Sequence, residues 1–153
     1  MPEPSSASGA PDVRLERFLP AEPARVFAAW TEPGLMARWM SPRGRAEVSL
    51  DLRIGGSLEV VMIDGTTRIE HRGTFLEVDP PRRIRFTWLS EHTAMTESIV
   101  TVELTPDAGG TRLLLRHERL PATAAASHAG GWGAMVDRLR DLLPGPSARE
   151  VPS

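Results

Sequence analysis

Four histidines hold most of the proton-transfer chemistry open to this chain: His71, His92, His117 and His128. Imidazole changes charge near neutral pH, so each is a candidate acid or base. None stands in an HxxxH or HExxH spacing, and there is no cysteine. A metal would need distant His and carboxylate ligands to converge, so none is expected. Within runs of period two, His71 shares a face with Ile69, Gly73 and Phe75, and His117 with Leu113 and Leu115. Those faces are apolar, so both imidazoles are expected to point inward. Each is either a hydrogen-bonded core histidine, the simpler reading, or a weak catalytic candidate. His128 reads as a residue of a first helical turn, holding a backbone or carboxylate partner.

The absences narrow the chemistry further. The chain has no Cys, Lys, Tyr, Asn or Gln, and all 18 of its basic residues are Arg. That excludes disulfides, a thiolate nucleophile, a Schiff-base lysine and a tyrosine acid. No Ser lies in a GxSxG elbow, and "RIGGS" lacks the GK[ST] ending of a phosphate loop. Arg68, Arg72, Arg83 and Arg85 alternate with apolar residues, the pattern of a solvated sheet face more than of an anion site. The net charge of -2 gives no general attraction to nucleic acid or to anionic membrane. No cofactor is implied.

These residues must be positioned by strands and three helices. "DVRLERFL" alternates as a first strand; "AEPARVFAAW" and "TEPGLMARWM" read as two short helices, with Pro23 in the first turn of one and Thr31 capping the other. Period two then takes over. Two runs flank Gly55-Gly56, Asp64-Gly65 marks a hairpin, and Asp79-Pro80-Pro81 marks a turn. "RRIRFTWLS", "TESIVTVELT" and "TRLLLRHERL" complete an antiparallel meander. In "SHAGGWGAMVDRLRDLL", Trp132, Val136, Leu139 and Leu143 form one stripe at helical spacing, with Asp137, Arg138 and Asp141 opposite. Gly130 and Gly131 then sit in the first turn. They make either a packing notch or the wall of a pocket mouth.

A sheet with one apolar face needs a cover, and only the last helix is long enough. Trp30, Trp39, Trp88 and Trp132 come from four elements that would meet there. Core packing alone would explain them; equally, with Met62, Phe75, Phe86, Met95 and Met135 they would line an apolar cavity, with His71, His117 and Ser98 as its polar handles.

The stretches "VFAAWTEPGLMARWMSP", "DLRIGGSLE", "GTFLEVDPPRRIRFTW", "TVELTPDAGGTRLLLRHERLP" and "HAGGWGAMVDRLRDLL" carry a resemblance. The chain resembles bacterial homologues of the C-terminal domain of the activator of heat shock protein 90 ATPase. These belong to the SRPBCC (START, polyketide-cyclase) superfamily. The resemblance covers roughly Val13 to Leu143. It implies an α+β helix-grip fold, a curved antiparallel sheet wrapped around a long C-terminal helix. Many relatives carry two aromatics where this chain has Trp39-Met40, so ligand preference does not transfer.

The expectation is one domain over residues 12–143, with disordered tails at 1–11 and 144–153. It binds a small hydrophobic or amphipathic molecule without catalysing a reaction. A cyclase- or dehydratase-like enzyme using a cavity histidine and a co-chaperone-like module remain as alternatives. A homodimer and a chaperone partner stay open. With no apolar run long enough to span a bilayer and no signal-peptide pattern, a cytoplasmic location is expected.

Overall fold

The computed structural model describes residues 13–41, 45–93 and 95–143; both expected tails lie outside them. Strand β1 (Val13–Leu19) is followed by helices α1 (Pro23–Thr31) and α2 (Pro33–Trp39). Six strands come next: β2 (Ala46–Leu50), β3 (Ser57–Asp64), β4 (Thr67–Asp79), β5 (Arg83–Trp88), β6 (Ser98–Asp107) and β7 (Gly110–Glu118). Helix α3 (Ala125–Leu142) closes the chain. The strands form one sheet in the order β1-β7-β6-β5-β4-β3-β2, every pairing antiparallel.

Alternation decides which face is covered. Ile84, Phe86 and Trp88 on β5, Val100, Val102 and Leu104 on β6, and Leu113, Leu115 and His117 on β7 are all buried. So are Trp132, Val136, Leu139 and Leu143 of α3, which packs against β1 and α2. The outer face is laced with ion pairs. Arg68 reaches Glu47 at 3.0 Å, Arg83 reaches Glu103 at 2.7 Å, and Arg72 lies 3.5 Å from Glu70. These arginines therefore meet carboxylates of their own sheet, and each exposed pair adds little stability.

Three local expectations give way. Thr31 does not cap α2: it ends α1, and its hydroxyl donates to Phe27 O at 2.8 Å. Glu32 takes the N-cap position and Pro33 opens the helix, where a missing N–H costs nothing. The glycine pair is not in a first turn, because α3 starts at Ala125, extended by the alanine run before Ser127. Nor is the pair a packing notch: a Cβ on Gly130 or Gly131 would meet no atom within 4 Å. Asp137 and Arg138 are half-buried instead of facing water freely. Asp137 accepts from Arg17 at 3.1 Å, and Arg138 Nε donates to Trp39 O at 3.2 Å. Arg138 thereby satisfies a carbonyl that the end of α2 leaves open.

Candidate functional site

Two connected structures occupy the space between the sheet and α3. The first is a buried hydrogen-bond relay. Trp132 Nε1 donates to His117 Nδ1 at 2.9 Å. An indole N–H only donates, so Nδ1 accepts and the imidazole proton lies on Nε2. Nε2 meets Ser98 Oγ at 2.7 Å, and the Ser98 hydroxyl donates to Trp88 O at 2.6 Å. The relay runs from α3 through β7 and β6 to β5, with every member buried. Register explains the middle link. Val100 pairs with His117, so Ser98, two residues along β6, is its diagonal neighbour on the same face. Burial holds the His117 imidazole at about 3, far below its ordinary value, with a smaller push from His128. His117 is thus neutral at neutral pH, with both ring nitrogens engaged. That arrangement ties a helix to a sheet and offers a substrate no proton.

The second structure is a cavity of about 200 Å³. Met62 from β3, His71 from β4 and Trp88 from β5 form its sheet side; Trp132 and Met135 of α3 form its cover. Ser127, His128 and Gly131 complete it along the first two turns of the helix. The rings are held from behind. His71 stacks on Trp88 with centroids 4.7 Å apart, and its Nδ1 lies 3.3 Å from Val60 O. Trp132 lies 5.6 Å from Trp88 and 5.9 Å from Trp30. Gly131 puts hydrogen where any other residue would put a side chain, so it leaves that edge of the cavity open.

Of the expected lining, Met62, Trp88, Trp132 and Met135 reach this cavity. Trp30, Trp39, Phe75 and Phe86 do not: each is almost wholly buried behind it. Trp39 is turned away by its own hydrogen bond, Nε1 donating to Ala29 O at 3.0 Å at the end of α1. Phe75 and Phe86 pack on one another across β4 and β5, centroids 6.0 Å apart. Met95 is 63% exposed and borders a groove on the opposite, outer side, with Arg68 and Leu89. Its position after the β5–β6 turn, outside any strand, carries it there. Of the polar handles, His71 lines the cavity, while His117 and Ser98 belong to the relay. Sequence reasoning missed His128 and Ser127 as lining. Their signal was present: His128 stands three residues and Ser127 four residues before Gly131, one helical turn away. Among the described residues, no three His, Asp or Glu side chains gather as a metal-holding group.

A seven-stranded antiparallel sheet gripping a C-terminal helix, with an apolar cavity beneath its first turns, defines a helix-grip domain. The family model "Activator of Hsp90 ATPase homolog 1-like protein" matches residues 20–144, and the chain belongs to that family. No curated protein matches it. Among solved structures it is similar to protein NE0264 from Nitrosomonas europaea, at 27% identity and a TM-score of 0.76, covering 91% of this chain and 98% of that one. It is also similar to CalU16 from Micromonospora echinospora, at 25% identity and a TM-score of 0.69, covering 90% and 79%. PFC0360w, an HSP90 activator from Plasmodium falciparum, shares the fold at 22% identity and a TM-score of 0.71, covering 86% and 95%. Among the described residues, no helix is long and apolar enough to cross a membrane.

Proposed function

We propose that this protein binds a small hydrophobic or amphipathic molecule in the cavity beneath α3. The observation that supports this reading is the cavity itself: about 200 Å³ of space among Met62, Trp88, Trp132 and Met135. Burying one aromatic ring of about 150 Å² there would contribute about 4 kcal/mol before the cost of association. The chaperone-activator reading rests on the family description and on the name of a relative; no side-chain cluster among the described residues singles it out.

The test uses the indole N–H resonances of the four tryptophans and toluene as probe. Saturable binding should shift Trp88 and Trp132, which line the cavity, more than Trp30 and Trp39, which do not. Absence of any saturable shift at Trp88 and Trp132 would overturn the proposal.

A further inference from the structure

We infer that the cavity selects a neutral, single-ring ligand carrying a hydrogen-bond donor, a phenol or its like, and disfavours carboxylates. This rests on the binding proposal above and adds the chemistry of the ligand.

The polar groups at the cavity have already committed their protons. His128 Nδ1 lies 2.9 Å from Ala124 O. A carbonyl only accepts, so Nδ1 carries the proton and donates, and in the neutral ring Nε2 presents a lone pair. Ser127 Oγ donates to the same carbonyl at 3.2 Å, which leaves its oxygen as an acceptor. Two polar side chains of α3 therefore turn their hydrogens onto a backbone oxygen, and what they offer a ligand is acceptors.

Charge and size sharpen the choice. Among the described residues no Arg, Asp or Glu lines the cavity, and the chain has no Lys. A carboxylate there would lose hydration with no fixed cation to replace it, whereas a hydroxyl needs only an acceptor. The facing titratable groups are His71 from β4 and His128 from α3, with His117 of β7 behind His128, rings 5.1 Å apart. His117 is neutral, so it adds no positive field for an anion. A dry cavity of about 150 Å³ accommodates benzene. One of about 200 Å³ takes a ring with a short substituent.

Calorimetric titration of the whole protein at pH 7.5 with 4-ethylphenol, 4-ethylanisole and 4-ethylbenzoate tests this, since the three share a ring and differ in the polar group. The phenol should bind about tenfold tighter than the anisole, and the benzoate weakest. His128→Leu, which removes the acceptor, should bring the phenol to within about threefold of the anisole, the ratio of the two affinities being the readout. Equal affinity for phenol and anisole in the wild type, or tightest binding of the benzoate, would overturn the donor inference and leave the cavity-binding proposal intact. Failure of all three, with no toluene binding, would overturn both. A phenol preference unchanged in His128→Leu would remove His128 as the acceptor and overturn the argument from its tautomer.

Discussion

Acid should destabilise this fold through one imidazole. His117 is held neutral by burial, at about 3, whereas in the unfolded chain it titrates near the ordinary imidazole value of 6.5. The depressed folded value sets the sign. Above 6.5 neither state binds the proton; as pH falls below 6.5 the unfolded state binds it first, and stability declines until about pH 3. Between pH 7.5 and 5.0 the linkage relation gives a loss of about 2 kcal/mol from this group. That figure barely changes while the folded value stays below about 4, because at pH 5 the buried ring is then still uncharged. Urea denaturation at the two pH values, on wild type and His117→Gln, isolates the effect, since other titrating groups cancel in the difference. The wild type should lose about 2 kcal/mol more than the variant on going to pH 5. Equal losses would mean that the imidazole is charged, or solvated, in the fold. Imidazole 15N shifts of the wild type give a second reading that needs no variant. They should report the proton on Nε2 and no titration from pH 7.5 to 4.5; a titration near 6 would refute the neutral relay.

Other changes follow from single contacts. Gly131→Ala should raise stability by about 1 kcal/mol in chemical denaturation, because the added methyl meets nothing and a helix interior favours Ala. Gly73→Ala should lower it by about 2 kcal/mol, since its Cβ would fall on the Thr87 carbonyl oxygen; an unchanged denaturation midpoint would contradict that close approach of β4 to β5. Trp39→Phe should cost about 1–3 kcal/mol by leaving the buried Ala29 carbonyl without the indole donor, read from the same midpoint.

The fold was legible because periodicity is a local signal. The stripe at Trp132, Val136, Leu139 and Leu143, and the alternation at Ile84, Phe86 and Trp88, place the same residues in the core that the structure buries. Parity also correctly turned His71 and His117 inward. It could not say what they would meet, because the relay depends on diagonal register between β6 and β7 and on which indole reaches down from α3. Thr31 shows a second limit: a good capping residue was drawn into the preceding helix because Pro33 fixes where the next one starts. The glycine pair shows a third. Composition identifies Gly130 and Gly131 as costly to a helix, but only their surroundings show that the gap remains open.

The aromatic set explains why the cavity lining was over-read. Trp39, Trp30, Trp132, Trp88, Phe86 and Phe75 form one continuous run of rings, with successive centroids 4.6, 5.9, 5.6, 5.8 and 6.0 Å apart. Only its two middle members, Trp132 and Trp88, touch the cavity. The outer four pack in the core on either side, so they restrain those two without lining the cavity. Trp132 is restrained twice, by stacking and by the donation to His117, and Trp88 supplies the carbonyl that ends the relay. The relay therefore joins the indole of Trp132 to the backbone of Trp88, whose own indole lies across the cavity wall. Loss of the Trp132 donor in Trp132→Phe would leave His117 Nδ1 buried without a partner, costing about 1–3 kcal/mol. It would also free the ring that covers the cavity. The variant should bind toluene more weakly than Trp30→Phe, which alters a ring behind the wall. Equal toluene affinities in the two variants would show that the relay does not hold the cavity's shape.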